Sequence, residues 1–192
     1  MAEPSSRDRM IKSATLLMRE RGVEGTSLSD VLAHSGAPRG SIYHHFPGGK
    51  AELIEEATRY GGHFVAARLD AAIERGDPHG SLDNMALFWR RVLGKSDFAA
   101  GCPIAAATLG AAQNSPARDA AGVAFASWTD RYGELLRRSG MPPARAESLA
   151  TLVFAAIEGA VILARAQHSM DPLERTVSEL HDVLTEALGD GS

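Results

Sequence analysis

The stretch Ala37–Leu53, APRGSIYHHFPGGKAEL, decides the fold. It opens on a proline and an arginine, passes through Tyr43, His44 and His45, and breaks at Pro47-Gly48-Gly49. Lys50 then resumes a helical pattern. A short helix that carries Arg, Ser, Tyr and His ahead of a sharp turn needs a partner for those donors. The flanking residues supply the context. Upstream, LSDVLAHSG (residues 28–36) reads as a helix of about two turns, stopped by Gly36. Thr26 or Ser27 can cap it, and Asp30 stands three residues after Ser27, in capping-box spacing. Pro38 suits the first position of the next helix, PRGSIYHHF, where its missing N–H would be unpaired anyway. Two short helices joined through a glycine turn form a helix-turn-helix.

The second helix of such a pair is the recognition helix, its N-terminal residues aimed at base edges in the major groove. Arg39, Gly40 and Ser41 occupy that start. Arginine pairs bidentately with guanine, serine serves as donor or acceptor, and glycine permits close approach. Ile42 and Phe46 are four apart and should pack inward. Tyr43, His44 and His45 place O–H and N–H donors where a phosphate backbone would run. Lys50 sits at the start of the following helix, where its charge and the free backbone N–H groups can meet a phosphate. Thr26 and Ser27 can do likewise. Base reading needs a fork donor, and register needs several phosphate donors around it.

The bulk numbers allow this. The chain has 192 residues, 44% hydrophobic and 23% charged, the composition of a globular protein. Net charge is −4, which excludes a non-specific polycation. Residues 1–60 hold eight basic and eight acidic side chains, so the whole excess of acid falls beyond them. Between Thr26 and Lys50 the only acid is Asp30, beside Arg39, Lys50 and three histidines. A small focused DNA footprint fits that distribution. The first ten residues lack the apolar core of a signal peptide. Cys102 is the single cysteine, so no internal disulfide is possible, and a reducing cytoplasm is the expected location. The most apolar run, LATLVFAAIEGAVILARA, is interrupted by Glu158 and Gly159 and reads as a buried helix, with no membrane association.

The rest of the chain is helical in period. Met10, Ile11, Ala14, Leu17 and Met18 line one face of a first helix, with Ser6 as N-cap and Gly22 as C-cap. A long helix starts at Lys50, and its Gly61-Gly62 pair is a candidate kink or hinge. Further helices follow from Leu82, after Cys102, from Ala117 and from Arg145. A last one has Asp171 as N-cap and Pro172 at its first position. No useful run alternates with period two. The reading is all-α with about nine helices: a helix-turn-helix domain over residues 1–50 and a helical domain over 51–192, the latter the part that the resemblance described next implies to be ligand-binding and dimerising.

The block GVEGTSLSDVLAHSGAPRGSIYHHFPGGKAEL (residues 22–53), behind its amphipathic first helix, resembles the tetracycline-repressor (TetR) family of one-component regulators. The form APRGSIYHHFPGGK with the later GCPIAA resembles a subgroup that includes lincomycin- and flavonoid-responsive repressors. Pro38 departs from the pattern, since many members place Ser or Thr there. The resemblance implies a nearly all-α homodimer on a palindromic double-stranded DNA operator, released by a small molecule. It implies backbone contacts at Thr26, Tyr43, His44 and Lys50, and base contacts around Arg39, Gly40 and Ser41.

Plainer readings stand beside these. Tyr43 can be a half-buried tyrosine among the first three helices, His45 can simply pack, and His34 reads as structural. No His or carboxylate spacing makes a metal site, and no cofactor is expected. Cys102 has no base beside it and no second cysteine to resolve it, so it reads as a buried thiol or a pocket wall. Phe88, Trp89, Phe125, Trp128 and Phe154 can be core. They also neighbour segments of small residues, AAATLGAA and VAFA, which leave room for an apolar cavity. The expected lining adds Cys102, Ile104, Thr108 and Glu158, with Gln113 and Asn114 as further polar orienters, around a small hydrophobic ligand. The last two helices should build the dimer, through Ala155, Ala156, Gly159 and Ala160 and a stripe of Leu173, Val177, Leu180, Leu184 and Leu188. Two rival readings are a cysteine-dependent enzyme using Cys102 or Glu158, and a helical ligand-binding protein that has lost DNA. Missing catalytic neighbours count against the first, and intact Arg39, Tyr43 and Lys50 against the second.

Overall fold

A computed structural model describes residues 5–111 and 115–189. Gln113 and Asn114 lie outside them. The helices are α1 (Ser6–Arg21), α2 (Leu28–Ser35), α3 (Ile42–His45), α4 (Gly49–Arg75), α5 (Pro78–Lys95), α6 (Pro103–Gly110), α7 (Pro116–Arg138), α8 (Pro143–Gln167) and α9 (Asp171–Leu188). One 3-10 turn, Arg39–Ser41, leads into α3. No strand occurs among the described residues. The chain divides into two compact units: residues 1–64 with 102–125, and residues 65–101 with 126–192.

The first unit grows from α1. Met10, Ile11, Ala14, Leu17 and Met18 are all buried, as their spacing predicts. They pack α1 on α2 and α6. Its cap is Ser5 rather than Ser6: the Ser5 hydroxyl accepts from the Asp8 N–H at 3.1 Å. α2 carries the full capping box, Ser27 Oγ accepting from Asp30 N at 3.1 Å and Asp30 Oδ2 from Ser27 N at 3.2 Å. Gly36 ends it at φ +66°, in the left-handed region that glycine enters without strain. Ile42 and Phe46 are buried and seat the recognition segment.

That segment starts differently from the expectation. Pro38 is the N-cap, in extended backbone, and the first turn is 3-10. The tighter turn follows from the Ser41 N–H donating to Pro38 O at 2.9 Å. The Gly61-Gly62 pair does not break α4, which runs on through both residues. A Cβ on Gly61 would meet Ile104 Cδ1 at 3.2 Å, and one on Gly62 would meet Ala124 Cβ at 2.8 Å. These glycines are points of close helix packing.

The second unit is built from the end of α4, α5, the end of α7, α8 and α9. Tyr132, Leu135, Leu136, Leu149 and Ile157 are among its fully buried side chains. Burial pushes the Tyr132 hydroxyl well above its ordinary range, with Asp77 adding to the shift. The hydroxyl donates to Pro78 O at 3.2 Å. α8 is long and apolar enough to cross a membrane by composition, yet it buries nine side chains as a core helix. α9 starts one residue earlier than expected, with Met170 at the cap and Asp171 inside the helix. Its apolar stripe Leu173, Val177, Leu180 and Leu184 is buried within the chain, where α9 lies on α8 and α5. That stripe is consumed internally and is not left for a second copy.

Candidate nucleic-acid interface

The helix-turn-helix is held from beneath by α1. Arg9 Nε donates to Ser35 O at 3.3 Å, and Ser13 Oγ pairs with His34 Nδ1 at 2.9 Å. Arg7 sits over the Phe46 ring at 5.4 Å and pairs with Glu56 at 3.2 Å. His34 is therefore structural, as expected. The Arg7 and Arg9 ties were not read from sequence, because their partners lie 26 or more residues away and leave no local period.

On this base the donors stand outward. Arg39, Gly40, Tyr43 and His44 are exposed, Tyr43 at 66%. Tyr43 is therefore not the half-buried core tyrosine of the plainer reading. Its ring edge lies near Gly49: a Cβ added there would be 3.9 Å from Tyr43 Cε1. A Cβ added to Gly40 would meet nothing within 4 Å. His45 is half-buried, its ring edge-on to His44 at 5.1 Å and to Phe46 at 6.5 Å. The turn before α4 is closed by Glu52, whose Oε2 accepts from Gly48 N at 2.7 Å. This fixes the approach of Lys50, whose Nζ donates to Glu24 O at 3.3 Å.

Three hydroxyls are already committed. Thr26 is buried, at 1% exposure, and its Oγ1 donates to Gly22 O at 2.7 Å. Its side chain holds the loop between α1 and α2 and is not presented outward. Ser27 Oγ is taken by the capping box. Ser41 Oγ donates to Pro38 O at 2.6 Å, leaving only its acceptor capacity for a base. Burial and self-capping are invisible to motif matching, and both engage hydroxyls within the chain.

The expected ligand-lining residues fall in both units. Cys102, Ile104, Thr108 and Phe125 belong to the first. Cys102 caps α6: its buried Sγ accepts from Ala105 N at 3.5 Å, ahead of Pro103. The buried-thiol reading fits that role. Ile104 is fully buried, and Thr108 Oγ1 donates to Ile104 O at 3.0 Å. Phe88, Trp89, Trp128, Phe154 and Glu158 belong to the second unit. There Trp128 and Phe154 lie 5.8 Å apart, Tyr132 and Phe154 6.2 Å, and Phe88 and Trp89 5.3 Å. Trp89, Trp128 and Phe154 are buried, while Glu158 is half-exposed.

A capped helix-turn-helix with an outward Arg-Gly-x-x-Tyr-His face, joined to a helical C-terminal part, defines a DNA-binding transcriptional regulator. Residues 10–57 match the family model for bacterial regulatory proteins of the tetR family. Residues 78–179 match that for the C-terminal domain of LmrA/YxaF-like transcriptional regulators. An HTH-type transcriptional regulator of Mycobacterium tuberculosis is 42% identical over 192 residues, covering 97% of each chain. The HTH-type transcriptional regulator LmrA of Bacillus subtilis is 30% identical, over 96% of this chain and 99% of that one. In solved structures the fold recurs in a TetR regulator from Legionella pneumophila (TM-score 0.83, 18% identity, covering 96% and 100%). It recurs again in regulatory protein TetR from Rhodobacter sphaeroides (TM-score 0.80, 22% identity, covering 92% and 97%). The chain belongs to the TetR family of transcriptional regulators.

Proposed function

We propose that this regulator is a cytoplasmic homodimeric repressor that sits on a palindromic operator and leaves it when a hydrophobic small molecule binds. The observation that carries the reading is the exposed set Arg39, Gly40, Tyr43 and His44 on a segment whose apolar residues and hydroxyls are otherwise engaged. Arg39 is the base-reading fork. Tyr43, His44 and Lys50 contact phosphates, Gly40 allows close approach, and Ser41 contributes its acceptor oxygen. The first backbone N–H groups of α2, rather than the Thr26 side chain, meet the strand at that end.

The dimer reading rests on α8. Leu152, Ile162 and Leu163 are about half exposed, and Ala155, Gly159 and Ala166 continue the same face at three- and four-residue steps. Side chains this apolar, left outside after α9 has covered the opposite face, suit a second copy of α8. The ligand reading rests on the aromatic residues Phe88, Trp89, Trp128 and Phe154 with Glu158 as a polar orienter. Ligand must bind the DNA-released state better than the DNA-bound one, since equal affinity shifts nothing.

Fluorescence anisotropy on DNA from upstream of the protein's own gene, at two salt concentrations, tests the reading. Wild type should bind one palindromic segment tightly, with affinity falling as salt rises. Arg39→Ala and Tyr43→Ala should each lose it. Weak binding indifferent to sequence, unchanged in both variants, would overturn the assignment.

A further inference from the structure

Two histidines 102 residues apart meet in the second unit. His79 Nδ1 lies 2.9 Å from His181 Nδ1, with the rings parallel to within 3° and their centroids 5.2 Å apart. His181 Nε2 lies 2.9 Å from Asp83 Oδ1. His79 and Asp83 are four apart on α5, so they share a face. The same two helices are joined again by Arg90 on α5 and Glu174 on α9, where Arg90 Nε donates to Oε1 at 2.6 Å and Nη2 to Oε2. Asp83 to Arg90 and Glu174 to His181 are both seven-residue steps, two turns or roughly 10 Å along each helix. α5 and α9 therefore run antiparallel with one polar seam tied at two levels.

The two ties respond differently to protons. Arg90 stays charged, and its hydrogen bond holds Glu174 below the ordinary carboxylate range. The imidazole tie is a bond between two like nitrogens, which needs one N–H and one lone pair. With both rings neutral, His181 gives its Nε2–H to Asp83, so its Nδ1 accepts from His79 Nδ1–H. A single imidazolium in the pair still leaves one lone pair between the two Nδ1 atoms, so both bonds stay in place. With both rings cationic, N–H is set against N–H between two like charges. Asp83 is already engaged and cannot relieve this. Charged or titratable groups near the pair include Asp77 at the start of α5, Asp182 beside His181 on α9, and the neutral Tyr132 hydroxyl of α7 on Pro78 O. α8, packed on α9, buries only apolar side chains. The two Nδ1 atoms lie at hydrogen-bond distance, 2.9 Å, closer than two imidazole nitrogens on one tetrahedral metal ion, so a proton and not a metal ion fits between the rings.

We propose that His79, His181 and Asp83 form an acid-labile tie between α5 and α9, which opens on the second proton while Arg90–Glu174 stays shut as the pivot. The start of α5 and the end of α9 part in mildly acid solution, and the opposite ends of the seam do not. This device rests on the second unit alone and is independent of the DNA and dimer readings.

Hydrogen exchange of the intact protein, corrected for intrinsic rates and compared between about pH 8 and about pH 5.5, tests it. Amides around His79 and His181 should exchange severalfold faster at the lower pH, with those around Arg90 and Glu174 unchanged. His79→Gln should abolish the difference, because its amide can turn to offer N–H or C=O and keeps a bond to His181 in either state. His181→Gln, which leaves one titrating ring, is the second variant and should abolish it too. An equal acid response in wild type and both variants would overturn the proposal, as would a uniform loss of protection along the whole seam.

Discussion

Gly40 is a residue whose identity the fold does not explain. It is exposed, its φ lies outside the left-handed region, and an added Cβ meets open space. Glycine there forfeits about 0.5–1 kcal/mol relative to alanine in helical backbone. The close approach of a DNA strand proposed above would supply a reason. Gly40→Ala should leave the melting temperature unchanged or slightly raised, while operator affinity falls by about tenfold or more, roughly 1.4 kcal/mol. Thermal melting and anisotropy on the same preparation check both halves, and unchanged affinity would remove Gly40 from the interface. Lys50 gives a complementary test. As a phosphate contact, its change to alanine should weaken binding to all sequences alike and lower the salt slope by about one. Thr26 shows what reading at this scale misses: its hydroxyl belongs to Gly22 O and its side chain is buried, so its structural role is set by the fold.

At the scale of elements, α2 is the most completely specified by its own residues. Ser27, Asp30 and Gly36 stand at the positions a capped helix needs, and the structure uses all three. Ser27→Ala should cost about 1 kcal/mol of stability, seen as a lower urea midpoint. Asp30 adds a pH signature, because its hydrogen bonds from Ser27 hold its carboxyl below the ordinary value. A carboxyl with a lowered folded pKa stabilises above its unfolded value and loses that contribution as pH falls toward the folded one. Wild type should therefore lose stability on acidification below about pH 4 more steeply than Ser27→Ala does. α4 is the opposite case. Two adjacent glycines read as a hinge by composition, yet they continue the helix because neighbours press against them. Gly62→Ala should destabilise, although alanine is the better helix former by about 1 kcal/mol. The new Cβ would lie 2.8 Å from Ala124 Cβ, the rigid stub of another helix. A rise in melting temperature would show that the hinge reading was the better one.

At the scale of the molecule, the allocation of apolar faces decides what is left for partners. α9 looked like an interface helix from its stripe of leucines, and the fold spends that stripe on α8 and α5. α8, read both as a buried helix and as a dimer helix through small residues such as Ala155 and Gly159, keeps Leu152, Ile162 and Leu163 outside. Ile162→Asp should thus convert the protein to a monomer in sedimentation at micromolar concentration without unfolding it, and weaken operator binding with it. A dimer that survives this change would move the interface elsewhere.

The sequence by itself determined what depends on neighbours within a turn or two. Helical period, the Ser27–Asp30 box, the Gly36 stop and the Ile42/Phe46 seat are local energetics, legible wherever they occur. So was the outward Arg39, Tyr43 and His44 set, because a short helix with two inward residues has few other faces. The tertiary structure alone decided which of two apolar faces meets which helix, and whether a hydroxyl is spent at home. It alone brought His79 to His181 and Arg90 to Glu174 across the whole second unit. Those outcomes depend on contacts between residues far apart in the chain. The free energy of such a contact depends on what else competes for the same surface, and no periodicity within one helix records that competition.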